Sequence, residues 1–99
     1  MTHKEYNGWT NYETWLVKLW IDNDEGTQSF FQDRAEHTIL LYDEDDRIRR
    51  FAKEIKDHHE ESLPELTGFA ADLMSASLSE VNWEEIAGSL LDDAKEALA

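Results

Sequence analysis

The 99-residue chain has no cysteine, one proline and four glycines, and its 9 basic residues face 23 acidic ones. Without cysteine there is no disulfide framework, so a core of apolar side chains must hold any fold together. The same absence fits a reducing compartment. No run approaches the roughly 18 apolar residues of a membrane span. The opening residues, "MTHKEYNGW", lack the apolar region of a secretory signal, and a cytoplasmic location is therefore the expectation. There is no G-x-S-x-G, no Gly-rich phosphate loop and no Ser-His-Asp grouping. The expectation is a non-enzymatic protein with no catalytic residues, no metal and no cofactor.

What is present is apolar and acidic. The hydrophobic fraction is 40%, 11% of residues are aromatic, and the formal charge is −14. That composition belongs to a folded domain with a negative surface, unlike a disordered acidic tail. The charge opposes direct binding to a nucleic-acid backbone.

The apolar residues recur with helical spacing, and no long stretch alternates as a strand would. The pattern predicts one all-α domain over residues 1–99, a compact bundle of five short helices at roughly 11–23, 28–42, 44–61, 64–79 and 83–98. "TNYE" reads as a capping box with Thr10 as the cap and Glu13 reaching back. "NDEG" reads as a stop, with Gly26 free for a left-handed turn. Thr27 then caps a second helix whose shared face is Phe31, Ala35, Thr38, Ile39 and Tyr42. Asp43 caps the third, with stripe Ile48, Phe51, Ala52 and Ile55. Pro64 suits the first turn of the fourth, which is expected to bury Leu66, Phe69, Ala70 and Leu73. Asn82 caps the fifth, with Glu85 at the third position and Val81 and Ile86 placed for a hydrophobic staple. Its stripe is Trp83, Ile86, Ala87, Leu90, Leu91, Ala94 and Leu98. Short connections favour antiparallel neighbours.

Three of the four tryptophans fall within residues 9–20 (Trp9, Trp15 and Trp20). From Trp15 to Ile21 only Lys18 is polar, the habit of a helix central in its bundle. A stacking platform for single-stranded nucleic acid needs a positive groove, and residues 1–33 offer only Lys4 and Lys18. Core packing is therefore the expectation. Trp9, ahead of the helix and beside Gly8, is the expected exception, partly exposed.

"NGWTNYETWLVKLWIDNDEGT", residues 7–27, resembles the signature of a small uncharacterised family from bacteriophages, plasmids, bacteria and archaea. That signature is N-G-W-x-N-Y-E-T-W-x-x-x-L-W-x-x-N-D. "VNWEEIAGSLL" resembles the tail that such proteins often carry. The resemblance implies a compact domain of mobile-element type and supplies no activity, cofactor or catalytic residue.

Two clusters invite a metal and fit poorly. In "DHHEE" (residues 57–61), His58 and Glu61 lie three apart, with Glu54 one turn earlier and His37 as a distant partner. Zinc wants three or four converging ligands, and the polar end of an exposed helix explains the run as well. "DNDEG" puts Gly26 at position 5 rather than 6 of a calcium loop, and Asp33 where a bidentate Glu belongs.

Charge is segregated. Residues 60–99 hold ten acids and one base, Lys95, whereas residues 43–59 hold six acids and five bases. Glu84, Glu85, Asp92, Asp93 and Glu96 line the fifth helix opposite its apolar stripe, with Glu80 just before it. Carboxylates one turn apart lie roughly 6 Å from each other, close to the roughly 7 Å between phosphates along a DNA strand. Two readings stand. The acidic face is either a protein-binding surface that mimics nucleic acid toward a defence protein of restriction or CRISPR type, or a solvated face serving solubility or salt adaptation. A third class binds through apolar helix surface, with "FAADLMSASL" (residues 69–78) as the seam, as a monomer or homodimer. The basic strip Arg47, Arg49, Arg50, Lys53 and Lys56 either meets such a second copy or is neutralised within its own helix by pairs such as Asp46–Arg50 and Asp57–Lys53.

Overall fold

A computed structural model describes residues 6–99; Lys4 and the start of "MTHKEYNGW" lie outside the described residues. Five helices run in order: α1 (Tyr12–Asn23), α2 (Glu25–Leu41), α3 (Glu44–Glu61), α4 (Gly68–Ser79) and α5 (Trp83–Leu98). Among the described residues there is no strand, only an isolated antiparallel bridge between Tyr6 and Trp9. The chain is all-α, as its periodicity predicts.

α5 is the central element. It packs against α1, α2 and α3, and Trp83, Ile86, Ala87, Leu90, Leu91 and Ala94 are buried along one face. Phe31 and Ala35 of α2 and Phe51, Ala52 and Ile55 of α3 complete the core with Ile21 and Val81. Arg34 of α2 ties across to Glu54 of α3 through two hydrogen bonds. Arg47 donates to the carbonyls of Tyr42 at 2.9 Å and Ile39 at 3.1 Å, closing the open end of α2. At the ends of these stripes, Ile48, Tyr42 and Leu98 are exposed rather than buried.

α1 departs from expectation. Its buried residues are Thr14, Lys18 and Ile21, and Trp20 is 70% exposed. Trp15, Leu16 and Leu19 are only half-buried, and Trp83 is the buried tryptophan among the four. An all-round apolar helix has no periodicity to choose its inward face, so polar contacts choose it. The cap is Asn11, not Thr10: its Oδ1 accepts from the Thr14 amide at 2.9 Å and the Thr14 hydroxyl at 2.6 Å. The same hydroxyl accepts from the Asn82 amide at 2.8 Å, and Asn11 Nδ2 donates to the Glu80 carbonyl at 2.7 Å. These bonds turn Thr14 toward the cap of α5. Lys18 is buried with its charge answered by Asp22, at 2.8 and 2.7 Å, and its Nζ lies 5.9 Å from the centre of the Trp9 ring.

The stop after α1 is a single residue. Asp24 ends α1 and caps α2, accepting from the Gly26 amide at 3.0 Å and the Thr27 hydroxyl at 2.9 Å. Thr27 is therefore inside α2, and Gly26 is helical instead of left-handed. The Thr27 hydroxyl, then the Gly26 amide, hold the Asp24 carboxyl below its ordinary pKa.

α4 begins at Gly68, with Thr67 at the cap, and not at Pro64. Proline disfavours helical backbone in the residue before it, so Leu63 and Pro64 stay in an irregular connection. The helix has no fully buried residue. Leu66, Ala71, Met74 and Leu78 are half-buried, while Phe69 is 81% exposed, and Ala70 and Leu73 also face outward. Leu78 rests on the core, and the Val81 amide bonds its carbonyl at 3.2 Å, which fixes the phase of the helix from its C-terminal end.

Two comparisons check this arrangement by urea unfolding. Asn11→Ala should cost about 1–2 kcal/mol, the usual loss of a cap, whereas Thr10→Ala should stay within about 0.5 kcal/mol. Trp83→Ala should cost about 3–5 kcal/mol, and Trp20→Ala little. Equal losses at the two tryptophans would contradict the inward face assigned to α1.

Candidate acidic interface

Asn82 positions the acidic helix. Its Oδ1 accepts from the Glu85 amide at 3.1 Å, and Val81 and Ile86 are both buried beneath the cap. The first turn then carries Glu84 and Glu85 at the positive end of the helix. One groove of about 550 Å³ gathers Glu84, Glu85, Asp92 and Asp93 with Gly88, Ser89 and Trp9. Its opposite wall is a tight turn at Asn7–Gly8. Tyr6 and Trp9 exchange backbone bonds at 3.3 and 2.8 Å, and both central residues have positive φ, 51° and 93°. An Asn-Gly pair is suited to that left-handed geometry. Trp9 is half-buried there, packed against the core.

The six acids are thus sorted. Glu84, Asp92 and Asp93 are exposed and share the groove. Glu85 is half-buried, and its Oε1 accepts from the Thr10 amide at 3.1 Å, so it also anchors the entry to α1. Glu80 ends α4 and Glu96 lies in the last turn of α5; both are exposed and neither lines the groove. A neighbouring hollow brings Glu44 and Asp45 of α3 together with Asp92, beside Arg47 and Lys95. The acidic surface therefore continues onto the start of α3. In the sequence, the acids of residues 43–46, "DEDD", suit the positive start of their own helix and carry no sign of their neighbour in space. The turn at Asn7–Gly8 was not among the expectations, although the Asn-Gly dipeptide between two aromatic residues is the signal that marks it.

The residues that suggested metal chemistry have other roles. Glu54 is engaged by Arg34, and the His58 ring sits 5.1 Å from both Phe30 and Phe31. Asp22 pairs with Lys18. Among the described residues no three His, Asp or Glu side chains are grouped to hold an ion. No helix among the described residues is long and apolar enough to cross a membrane. The basic strip is largely neutralised locally: Arg49 pairs with Asp46, Lys53 with Asp57 and Lys56 with Glu60. Asp46 thus serves Arg49, not Arg50.

Residues 2–98 match the family of unknown function DUF7249. The chain belongs to that family. No curated protein and no solved structure matches it. For this DUF7249 chain, the arrangement of residues must therefore carry the functional reading.

His59 gives the fold a measurable pH dependence. Its Nδ1 lies 2.8 Å from the Ile55 carbonyl, and its ring is stacked on Phe31 and tilted against Trp83. Burial pushes its pKa below the ordinary histidine value, and the neighbouring His58 acts in the same direction, against the Ile55 carbonyl. The unfolded chain then binds the proton more readily than the folded one. This contribution to stability is complete above about pH 6.5, the unfolded histidine value, and declines as the pH falls toward the folded one. Urea titrations of the protein and its His59→Phe variant between pH 7.5 and 5 should differ in slope by at most about 1.4 kcal/mol per pH unit. Parallel profiles would remove His59 from the account.

Proposed function

We propose that this DUF7249 chain is a non-enzymatic, cytoplasmic protein-binding module whose acidic surface occupies the basic channel of a nucleic-acid-binding protein. The observation carrying this reading is the exposed trio Glu84, Asp92 and Asp93 on one groove, extended by Glu44 and Asp45. From Glu84 to Glu96 the helix rises about 18 Å and bears five carboxylates, with Lys95 offsetting one. Four intervals over that rise put successive acids roughly 4.5 Å apart on average, sparser than the one phosphate per roughly 3.4 Å of a DNA strand, with Glu85 turned to the Thr10 amide. A rigid helix presents these charges without the ordering cost of a flexible acidic tail. The N-Y-E-T-W signature, with its resemblance to phage and plasmid proteins, supports a restriction or CRISPR effector as the partner.

The competing reading is an acidic surface that serves only solubility or salt adaptation. Both are tested by measuring DNA binding of a panel of restriction and CRISPR effectors in the presence of the protein, across a salt series. The triple variant Glu84→Gln, Asp92→Asn, Asp93→Asn should weaken inhibition at least about tenfold. A control of equal charge change on α2, Glu25→Gln, Gln32→Lys, Asp33→Asn, should not. Equal loss in both variants, or no inhibition of any effector by the unaltered protein, favours the solubility reading.

A further inference from the structure

The basic residues that the acidic reading leaves unused converge on one concave surface. A groove of about 270 Å³ between α2 and α3 is lined by Arg34 and His37 from α2, and by Arg49, Arg50 and Lys53 from α3, with Tyr42 at its end. Four of the chain's nine lysines and arginines therefore share one hollow in a protein of charge −14. We propose that this groove binds a phosphate-bearing small molecule.

Arg50 carries the argument. Its guanidinium lies 4.4 Å from the centre of the Tyr42 ring, and among the described residues no carboxylate lies within ion-pair distance of it. A guanidinium without a carboxylate partner keeps its planar fork of N–H donors available, and that fork recognises phosphate with two parallel hydrogen bonds. Arg49 and Lys53 flank it. Their carboxylate partners Asp46 and Asp57 are three and four residues away on the same exposed helix face. Such surface pairs contribute little and exchange readily for a stronger anion. Arg34 is different: it is held by Glu54, the one carboxylate lining the groove, and serves as its floor. The His37 imidazole adds a further N–H at the rim. The α5 acids belong to grooves on other parts of the surface, and screening over about 8–10 Å confines their repulsion at physiological salt. The volume suits a single phosphorylated group, below the 300–1,000 Å³ usual for larger ligands. A second hollow shares Arg50, Lys53 and Glu54 and continues to Phe30 and His58, but Asp57 and Glu61 also line it, so the phosphate itself belongs to the first groove.

The test uses inorganic pyrophosphate as the probe, followed by amide NMR shifts and calorimetry on the full chain, with sodium chloride and sodium sulfate at matched ionic strength. Saturable pyrophosphate binding is expected, with shifts confined to Tyr42, Arg49, Arg50 and Lys53. Arg50→Gln with Lys53→Gln should weaken it at least about tenfold. Both side chains are exposed, so the variant should keep its helical circular dichroism; should it unfold, the single variant Arg50→Lys replaces it. That variant keeps the charge and loses the fork, and should weaken binding several-fold. Shifts that merely track ionic strength, or affinity unchanged in the variants, would overturn the proposal. So would a salt-sensitive self-association that is lost in the double variant, because the groove would then accept the acidic face of a second copy.

Discussion

The hydroxyl of Thr14 is the joint on which the arrangement depends. It is fully buried, donates to the side chain that caps α1 and accepts the amide of the residue that caps α5. Leaving either group unpaired in the interior would cost more than the bond itself contributes, so the two helix starts are registered against each other. Glu80 reinforces the joint through its carbonyl, and Glu85 through its carboxylate to the Thr10 amide. With that corner set, α5 lies where α2 and α3 can close over it. The Asp24 corner then carries the chain from α1 straight into α2.

What was legible in the sequence follows from this. α3 and α5 are strongly amphipathic, and their stripes told which way they face: Phe51, Ala52 and Ile55, and the run from Trp83 to Ala94, are buried. α1 and α4 are apolar on too many sides for a stripe to decide. Their orientation comes from contacts distant in sequence, namely Thr14 with Asn82 and Leu78 with the core. Composition favoured burial of the N-terminal tryptophans, yet a threonine and a lysine took the inner positions because each brought its own polar partner. The local capping chemistry was legible one residue off at α1, Asn11 rather than Thr10, and three residues off at α2, Asp24 rather than Thr27. At α1 two adjacent residues were competent caps and tertiary bonding chose Asn11, whereas at α2 the choice is local, with Asp24 accepting from Gly26 and Thr27. Of the candidate acidic interface, the α5 acids were readable from periodicity. The contribution of Glu44 and Asp45 was not, because it depends on how α3 crosses α5.

Charge separation gives the molecule two unlike sides. Carboxylates dominate the outer face of α5 and the start of α3, while arginine and lysine collect along the seam of α2 and α3. Most of these cations are matched within a turn of helix, which limits their reach without removing them. The outward aromatic and apolar residues Trp20, Phe69 and Leu73 form neither side; they belong to the two helices whose rotation is fixed by polar or distant contacts.

The Thr14–Asn82 and Thr10–Glu85 bonds span 68 and 75 residues of chain. They cannot form until residues 82 and 85 have left the ribosome. Before then α1 can pack against α2 but lacks the bonds that register its start against α5. Arrival of α5 therefore supplies the bonds that commit the start of α1. The acidic helix that is proposed to face a partner is also the element that completes the folding of the chain's own beginning.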